Sequence, residues 1–459
     1  MTDVHTSATI IFGLGREGLS TAHYLLSKDA NTRLILLDEK PQDQLDSAWK
    51  DIVAKEGVSF TQELPEHLDG TTVFCSPGIP PHNPIMQQLS KSPAKLSSNV
   101  ELFFEVLAAQ EHEIITIGVT GTKGKSTTSA LLYHLLKTAE LPAHYAGNVG
   151  IPALSILPDI LAETAETVYV VLELSSHQLS MLSTSPNIAV LQNIVPEHLD
   201  YYGTFEDYVA AKAHIALHQS ESDHIIYSLD FESSSLVAEQ SKAKKHAFSL
   251  DNPQANELSQ RVISTLDAAQ PKLLGNHNRY NMAPSVVVAE ILGIEPSVVR
   301  SALNTFEPLS HRLEKVETKD DDILYINDSL ATTPEATIAA IDAFPHRQII
   351  LIAGGYDRSL DFFELAKKIA TTKTIKAIIL FPPTGEKIVE FIHKIQADAP
   401  ILETGYFKVE SMSEAVATAK KIARKGDVVL MSPAAASFGR FRDYADRGEQ
   451  FKKFVYENN

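Results

Sequence analysis

Short apolar runs alternate along the chain with longer segments whose apolar residues recur at helical spacing. Apolar runs of about four to eight residues are typical of strands buried on both faces, and their alternation with helices is typical of βα units. The sequence therefore predicts an α/β fold in which helices cover parallel sheets. The strand-like runs behind this prediction are Ala8–Phe12, Arg33–Leu37, Glu113–Val119, Val168–Leu172, Gln348–Ala353 and Val428–Met431.

Three zones of this pattern divide the chain. The first contains the glycine-rich turn Gly13–Gly18, the second contains the turn Thr120–Ser126, and the third follows Ser310–Arg312. A chain of 459 residues exceeds what one hydrophobic core usually organises, so more than one domain is expected. We predict three domains, with boundaries near residues 107 and 310. They cover residues 1–107, 108–310 and 311–459.

The composition limits the classes of function. The formal net charge of -18 argues against non-specific nucleic-acid binding, because such binding depends on Lys and Arg neutralising phosphates. The single cysteine, Cys75, excludes an internal disulfide, and the N-terminal residues lack the pattern of a signal peptide. No apolar run approaches the roughly 20 residues that span a bilayer. We therefore expect a cytoplasmic protein that binds neither nucleic acid nor membranes.

The strongest chemical signal is the turn Thr120–Ser126, which lies between a predicted strand and a predicted helix. Backbone N–H groups of such a turn converge at the head of the helix, where the helix dipole also favours an anion. Lys125 adds a positive charge for the outer phosphates, and the Ser126 hydroxyl can bind Mg²⁺. The spacing departs from the usual phosphate loop, because Val119 stands where the first glycine is expected. The alternative is an ordinary strand-to-helix turn with a surface lysine.

Two further polar residues follow predicted strands. Glu173 stands at the C-terminal end of Val168–Leu172, where α/β sheets bind ligands. A carboxylate buried there costs several kcal/mol unless it is paired or bound to a metal. His198 follows the apolar run that begins at Leu191, and it can bind a metal or donate to a phosphate. The alternatives are a strand-end ion pair for Glu173 and a structural role for His198.

Taken together, the motifs resemble the Mur ligase family of peptidoglycan synthesis. Within that family, the glycine-rich start and the segments Ser76–Ile79 and Ser432–Phe438 are most similar to members that add glutamate to UDP-N-acetylmuramoyl-L-alanine. The resemblance implies a Rossmann-like N-terminal domain, a central P-loop ATPase-like domain and a Rossmann-like C-terminal domain. The matching segments are Thr120–Thr127, Gly147-Asn148-Val149-Gly150, Glu173–Leu179, Glu197–Asp200, Lys212, Gly275–Asn278, His311-Arg312 and Asn327–Ser329.

The resemblance implies an ATP-dependent ligase that forms an amide bond. In the family, the γ-phosphate of ATP passes to the substrate carboxylate, and the amino group of an amino acid then attacks the acyl phosphate. The catalytic roles fall on Lys125, Glu173, His198 and Lys212. Two Mg²⁺ ions are implied, held by Ser126, Glu173, His198 and a carbamate that CO₂ forms on Lys212. Without the resemblance, Lys212 is an ordinary surface lysine.

The resemblance also distributes the ligand contacts over the three predicted domains. The implied ATP contacts are Gly121, Thr122, Lys123, Gly124, Lys125, Ser126, Thr127, Asn278, Asn281, Arg312 and Asp328. The implied contacts to the UDP-linked substrate are Arg16, Glu17, Asp38, Ser76, Pro77, Gly78, Asn148 and His198. The implied glutamate contacts are Thr332, Arg358, Ser437 and Tyr444.

The glutamate site departs most from the family pattern. Members that add glutamate usually carry a lysine where this chain has Leu330, a lysine at the position of Arg358 and a phenylalanine at the position of Tyr444. An arginine can bind a carboxylate through two parallel hydrogen bonds, so a dicarboxylic amino acid still fits. We favour D-glutamate, with L-glutamate as the alternative.

Three other functions stay open at the level of sequence. A folylpolyglutamate synthase-like ligase shares the phosphate loop and the lysine carbamate, but it gives no reason for the glycine-rich first domain. A non-catalytic nucleotide-binding protein does not need all four implied catalytic residues. A dehydrogenase rests only on Gly13–Gly18 and Asp38, which alone indicate NAD binding weakly. We expect a monomer.

Overall fold

The computed structural model describes residues 9–148, 150–318, 322–396, 401–402 and 405–457. Ala8, at the start of the first predicted strand, and Val149, in the Gly147–Gly150 motif, lie outside the described residues. The chain divides into two compact units: residues 1–270 with 280–304 form the first, and residues 271–279 with 305–459 form the second. Across the described ranges, no helix combines the length and apolarity needed to cross a membrane.

The N-terminal part of the chain builds a sheet of five parallel strands. They are β1 (Thr9–Phe12), β2 (Leu34–Leu37), β3 (Val58–Thr61), β4 (Thr72–Cys75) and β5 (Lys95–Ser97). The accompanying helices are α1 (Arg16–Lys28), α2 (Lys50–Val53), α3 (Pro84–Leu89) and α4 (Asn99–Ala108). The spatial order β3-β2-β1-β4-β5 is that of a Rossmann-like sheet. The predicted strand at residues 33–37 is confirmed, with Leu34 as its first residue.

The middle of the chain builds a second parallel sheet, in the order β11-β10-β9-β6-β8-β7. These strands are β6 (Glu113–Thr120), β7 (Ala143–Gly147), β8 (Thr167–Glu173), β9 (Ile188–Leu191), β10 (His224–Ser228) and β11 (Lys244–Phe248). The helices from this part of the chain are α5 (Lys125–Thr138), α6 (Leu157–Ala162), α7 (Ser176–Leu179), α8 (Leu199–Tyr202), α9 (Phe205–Leu217), α10 (Glu232–Glu239), α11 (Glu257–Asp267), α12 (Asn276–Leu292) and α13 (Pro296–Thr305).

The second unit contains the third sheet, in the order β12-β13-β17-β14-β15-β16. These strands are β12 (Glu314–Val316), β13 (Leu324–Asn327), β14 (Ile349–Gly354), β15 (Ile375–Phe381), β16 (Tyr406–Lys408) and β17 (Val428–Met431). Among the described strand pairs of this sheet, β12–β13 is antiparallel and the others are parallel. The described helices are α14 (Pro334–Asp342), α15 (Phe363–Thr371), α16 (Thr384–Ile395), α17 (Met412–Ile422) and α18 (Tyr444–Glu457).

The apolar runs form strands because both faces of each sheet are covered. Every residue of β14 is buried, as are the last four residues of β8. Strands hidden on both faces read as continuous apolar runs, which is why the sequence pattern identified them. The register places Val119 beside Glu173 and Thr120 beside Leu191, so the C-terminal ends of β6, β8 and β9 lie together. The loops that leave these ends therefore start from neighbouring points of a rigid core.

The α/β class and the three-domain organisation are confirmed by the three sheets. Residue 107 lies in the last turn of α4, and residue 310 lies between α13 and β12. The first two sheets belong to one compact unit, in which the hydroxyls of Ser20 and Ser155 lie 2.8 Å apart. The side chain of Asn99 also accepts from the backbone N–H of Leu154 at 3.4 Å. The exact domain boundaries stay predictions.

A buried arginine fixes the C-terminal helix of the second unit. Arg447, on α18, is 1% exposed and donates through Nε to the Ser329 hydroxyl at 3.0 Å. Its two terminal nitrogens donate to the carbonyls of Ser329 at 2.8 Å and Ala435 at 2.9 Å. Because a buried guanidinium needs acceptors for its N–H groups, these bonds hold α18 to the loops that follow β13 and β17.

Asp328 is buried in the same region. Its carboxylate accepts from the Ser432 hydroxyl at 2.8 Å and from the backbone N–H of Leu313 at 3.1 Å. Burial raises the pKa of Asp328 to about 7, although these two hydrogen bonds and the charges of Arg312 and Arg447 oppose the shift. Desolvation disfavours the ionised carboxylate more than its partners stabilise it.

Stability should therefore depend on the protonation of Asp328. The folded chain binds the Asp328 proton more tightly than the unfolded chain, in which the pKa of this group is near 3.8. Proton binding therefore stabilises the folded state fully below pH 4, and this stabilisation is lost as the pH rises through 7. The unfolding free energy of the wild type relative to Asp328→Asn should fall by about 2–4 kcal/mol between pH 4.5 and 8. Thermal unfolding across this range measures the difference.

Asp159→Asn serves as the control, because Asp159 is an exposed aspartate on α6. This control should follow the wild type at every pH. A difference between wild type and Asp328→Asn that stays constant, or that grows in favour of the wild type as the pH rises, contradicts the raised pKa.

Candidate active site

The glycine-rich turn joins β6 to α5, as the sequence predicts. Gly121 and Gly124 have φ values of +151° and +88°, which L side chains rarely adopt. A Cβ on Gly121 would lie 2.5 Å from Cβ of Gln192, and a Cβ on Gly124 would overlap the side-chain oxygen of Asn281. The turn therefore requires glycine at both positions. It packs tightly against the loop after β9 and against α12.

Lys125 begins α5 and is held against this turn. Its Nζ donates to the carbonyls of Gly121 at 2.9 Å and Thr122 at 3.0 Å. The Thr122 hydroxyl in turn lies 3.0 Å from the Tyr208 hydroxyl and accepts from the backbone N–H of Val195 at 3.0 Å. Lys125 is half-buried and bonded to the turn, which favours the phosphate loop over an ordinary turn with a surface lysine.

Glu173 ends β8 and is 1% exposed. Its Oε1 accepts from the side-chain nitrogen of Asn148 at 3.2 Å, whereas its buried Oε2 has no hydrogen-bond partner among the described residues. The structure gives this carboxylate no ion pair among the described residues, which argues against the strand-end ion pair. A buried carboxylate oxygen without a donor favours a cation at this point.

Lys212 lies on α9 and is 1% exposed. Its Nζ donates to the carbonyl of Gly121 at 2.9 Å and to the Thr120 hydroxyl at 3.4 Å, and lies 4.7 Å from the centre of the Tyr208 ring. Burial lowers the pKa of Lys212 well below its usual range, and the charge of Lys125 adds to the shift. The surface-lysine alternative is therefore wrong, and a buried amine of this kind favours its neutral, nucleophilic form.

His198 stands with aromatic residues at the start of α8. Its backbone adopts a left-handed conformation, with φ at 55°, and its ring centre lies 4.9 Å from that of His177. Burial lowers the pKa of His198; the charge of Glu197 opposes this shift, and the charge of Lys125 adds to it. Burial lowers the pKa of His177 to about 4, so His177 is neutral near pH 7. A neutral imidazole can bind a metal or donate one hydrogen bond.

Lys125, Lys212 and His198 line one cavity of about 310 Å³ in the first unit. The cavity is large enough for part of a ligand such as a phosphate chain, and the charge of Lys125 gives it affinity for anions. Four predicted site residues therefore meet at one place. The lining residues are Lys125, Asn148, Ser175, Ser176, His177, His198, Tyr208 and Lys212.

The fit of a metal can be judged from these donors. In the part of the chain that the structure describes, no three His, Cys, Asp or Glu side chains form a metal-binding cluster. Mg²⁺ does not need such a cluster, because it commonly binds through one or two carboxylates together with substrate phosphates and water. The unpartnered Oε2 of Glu173 supplies a carboxylate oxygen of this kind. The described residues thus fit Mg²⁺ bound together with a nucleotide.

Six of the eight predicted contacts to the UDP-linked substrate lie near the C-terminal edge of the first sheet, whereas Asn148 and His198 line the cavity. The carboxylate of Asp38 accepts from the backbone N–H of Leu14 at 2.7 Å, so Asp38 stabilises the glycine-rich turn. The carboxylate of Glu17 is buried and accepts from the side chain of Gln178 at 2.7 Å. Arg16 donates to the carbonyl of Gly150 at 3.4 Å. Glu17 thus contacts α7, and Arg16 contacts the loop that follows β7. Pro77 and Gly78 lie in the turn that follows β4.

The remaining predicted contacts are divided between the units. Asn281 belongs to the first unit, where its carbonyl accepts from the Thr128 hydroxyl at 3.0 Å. Asn278 belongs to the second unit and donates to the carbonyl of Leu274 at 2.6 Å. Arg312 and Asp328 also belong to the second unit and interact through their charges.

The predicted glutamate contacts lie in loops of the second unit. Ser437 is buried, Thr332 is half-buried, and Arg358 is exposed. Tyr444, at the start of α18, is exposed and its ring centre lies 6.1 Å from that of His311. Each follows the C-terminal end of a strand or begins a helix there, but their roles stay predictions.

Sequence reasoning missed three features of the two units. His177 and Tyr208 line the cavity, and Arg447 anchors α18. His177 was visible within the segment Glu173–Leu179, directly after β8, and Tyr208 stands one helical turn before Lys212. Nothing in the local pattern around Arg447 marks it as buried.

Comparison with known families agrees with this architecture. Residues 7–97 match the model of a MurD-like N-terminal domain of Mur ligases, and residues 119–289 match the Mur ligase middle domain. Residues 311–435 match the Mur ligase glutamate ligase domain. The three matches follow the order of the three sheets.

Relatives and solved structures extend the comparison to nearly the whole chain. A UDP-N-acetylmuramoylalanine–D-glutamate ligase of Salinibacter ruber is 33% identical, with 98% of this chain and 97% of that protein covered. The same-named enzyme of Zymomonas mobilis is 34% identical, covering 97% and 96%. The MurF ligase of Thermotoga maritima in complex with ADP shares the fold, with a TM-score of 0.61, 18% identity and full coverage of both chains. The chain therefore belongs to the Mur ligase family.

Proposed function

We propose that this chain is an ATP-dependent ligase that joins glutamate to UDP-N-acetylmuramoyl-L-alanine in the cytoplasm, as a step in peptidoglycan precursor synthesis. One observation carries the proposal: a single cavity brings Lys125 of the phosphate turn, Lys212 and His198 together, with buried Glu173 beside Asn148. The names of the full-length relatives supply the substrate class. We take the chain to act as a monomer.

The first chemical step is transfer of the γ-phosphate of ATP to the alanine carboxylate of the UDP-linked substrate. One carboxylate oxygen attacks the γ-phosphorus, the bond to the β-phosphate oxygen breaks, and ADP leaves. Negative charge on the transferring oxygens must be stabilised by fixed cations and N–H groups. Lys125 fits this role, because its Nζ lies at the phosphate turn and donates to the Gly121 carbonyl at 2.9 Å.

The second step is attack of the glutamate amine on the acyl phosphate, which forms the amide bond and releases inorganic phosphate. Asn148 and His198 line the cavity and are suited to orient the acyl group by hydrogen bonding. The amine loses a proton as the amide bond forms, and this proton leaves to the released phosphate or to solvent. Burial keeps His177 neutral at neutral pH, so its ring can take part in hydrogen bonding without adding positive charge to the cavity. Exclusion of water matters here, because an acyl phosphate hydrolyses readily.

When Mg²⁺ is bound, it neutralises part of the negative charge of the ATP triphosphate. Ser126 and Glu173 are the residues we expect to hold one ion, and His198 with a carbamate on Lys212 the second. The buried, unpartnered oxygen of Glu173 supports the first assignment. The hydroxyl of Ser126 lies in the first turn of α5, beside Lys125.

The carbamate on Lys212 follows from the chemistry of a buried amine. The neutral amine attacks the carbon of CO₂, a nitrogen–carbon bond forms, and one proton leaves to solvent. The product carries a negative charge, so it replaces an ammonium that would repel a neighbouring cation. Its remaining N–H can still donate to the Gly121 carbonyl, which lies 2.9 Å from Nζ.

The handedness of the amino acid has two candidates. The names of the relatives specify D-glutamate, which we take as the substrate. L-glutamate is favoured by one observation, because Leu330 places a half-buried apolar side chain where glutamate-adding members usually carry a lysine. Arg358 provides a positive charge at another position of the second unit. A change in the position of this charge changes where the carboxylate of the amino acid binds.

The Lys125→Ala variant should lose at least about 1000-fold in ADP release while remaining folded, because the removed charge stabilises the transferring phosphate. ADP production with UDP-N-acetylmuramoyl-L-alanine and glutamate is the assay. Lys137→Ala is the matched control, since Lys137 is exposed at the other end of the same helix. Near-normal ADP release by Lys125→Ala contradicts the assigned role.

Lys212→Ala should be inactive and partly rescued by a small carboxylate such as acetate or formate, but not by added bicarbonate, because an alanine cannot carry a carbamate. Wild-type protein equilibrated with ¹³C-bicarbonate should show a carbamate carbon signal by NMR that Lys212→Ala lacks. Full activity of Lys212→Ala, or identical spectra of the two proteins, rules out the modification.

The substrate is decided by separate assays with D-glutamate and L-glutamate, each with UDP-N-acetylmuramoyl-L-alanine. We expect ADP release and a new amide product with the D enantiomer, at least about tenfold faster than with the L enantiomer, since one misplaced charged contact costs more than 1.4 kcal/mol. A reversed preference selects the second candidate. Absence of product with both, but activity with a folate acceptor, rejects the proposed substrate class.

A further inference from the structure

The hydroxyl of Tyr201 connects α8 to the first sheet. Its Oη lies 3.1 Å from the carbonyl oxygen of Pro77 and 3.0 Å from that of Ile79. A tyrosine has one hydroxyl proton, so the two carbonyls share it. Both carbonyls belong to the turn after β4, which carries three of the residues expected to contact the UDP-linked substrate.

That turn is locked to the glycine-rich turn of the first sheet. The Ser76 hydroxyl donates to the Gly13 carbonyl at 2.6 Å. A Cβ on Gly13 would lie only 2.7 Å from Cβ of Ser76, so the two turns are in close contact. A displacement of the Ser76 turn therefore also displaces the glycine-rich turn, and with it the edge of the sheet where a nucleotide binds in this fold.

The ring of Tyr201 contacts the wall of the central cavity. Its centre lies 4.2 Å from that of His177, with the rings nearly perpendicular at 85°, and 4.7 Å from that of Tyr202. His177 lies in turn 4.9 Å from His198, and both histidines line the cavity. Tyr201 thus contacts the turn after β4 through its hydroxyl, and it contacts the cavity-lining residue His177 through its ring.

We propose that Tyr201 is a positioning residue that couples binding of the nucleotide-linked substrate at the first sheet to the geometry of the catalytic cavity. The inference deepens the proposed function and rests on it. A tyrosine suits this role because its ring is rigid and its side chain has few rotatable bonds. A displacement of the hydroxyl therefore also displaces the edge of the ring. The ligand that it serves is a nucleoside diphosphate sugar held by the turns after β1 and β4.

Tyr201→Phe separates the two contacts, because it removes the hydroxyl and retains the ring. The KM for UDP-N-acetylmuramoyl-L-alanine should rise roughly 3- to 10-fold, the range expected when one net hydrogen bond is lost, with the KM for ATP and kcat within about twofold of the wild type. Tyr201→Leu also removes the ring, so kcat should fall as well, by at least about threefold, because His177 and His198 lose their packing partner.

Tyr456→Phe is the control, since Tyr456 is an exposed tyrosine of α18. The dissociation constant of UDP-N-acetylmuramoyl-L-alanine, measured by calorimetry without ATP, should rise in Tyr201→Phe by the same factor as the KM. Unchanged binding, or an equal rise in both KM values, overturns the proposal. If wild type binds the substrate but releases no ADP, the proposed function fails while the binding comparison still decides the role of Tyr201.

Discussion

Two lysine amines donate to one carbonyl oxygen, and the rest of the site depends on this arrangement. Nζ of Lys125 and Nζ of Lys212 each lie 2.9 Å from the carbonyl of Gly121. Two ammonium groups so close together repel, and Lys212 is almost fully buried, so the chain lowers the cost by favouring the neutral form of Lys212. Lys125 then provides the positive charge beside the glycine-rich turn.

The buried carboxylate of Glu173 completes this electrostatic arrangement. One of its oxygens accepts from the side chain of Asn148, and the described part of the chain provides no donor for the other. A protein rarely buries a carboxylate in this way unless a cation joins it during function. The glycine turn, the uncharged amine and the carboxylate thus form one arrangement, for which the proposed nucleotide and metal would supply the missing partners. Glycine at positions 121 and 124 is required because any side chain would collide with Gln192 or Asn281.

The sequence predicted those parts of the protein that depend on local pattern. Apolar runs buried on both faces indicated the strands. Polar residues that follow these runs, such as Glu173 and Lys125, indicated the site, because parallel strands end at a common edge. Features set by long-range packing could not be read in this way. The burial of Lys212, the contact of Tyr201 with Pro77 and the anchoring of α18 by Arg447 join residues far apart in the chain.

The most direct test of the account follows the oxygen atoms of the substrate carboxylate. If the γ-phosphate is transferred to that carboxylate in the cavity, UDP-N-acetylmuramoyl-L-alanine labelled with ¹⁸O in its carboxylate should deliver one ¹⁸O atom to each inorganic phosphate released, detected by mass spectrometry. Formation of the amide with unlabelled phosphate would contradict an acyl phosphate intermediate, and with it the role assigned to the phosphate turn.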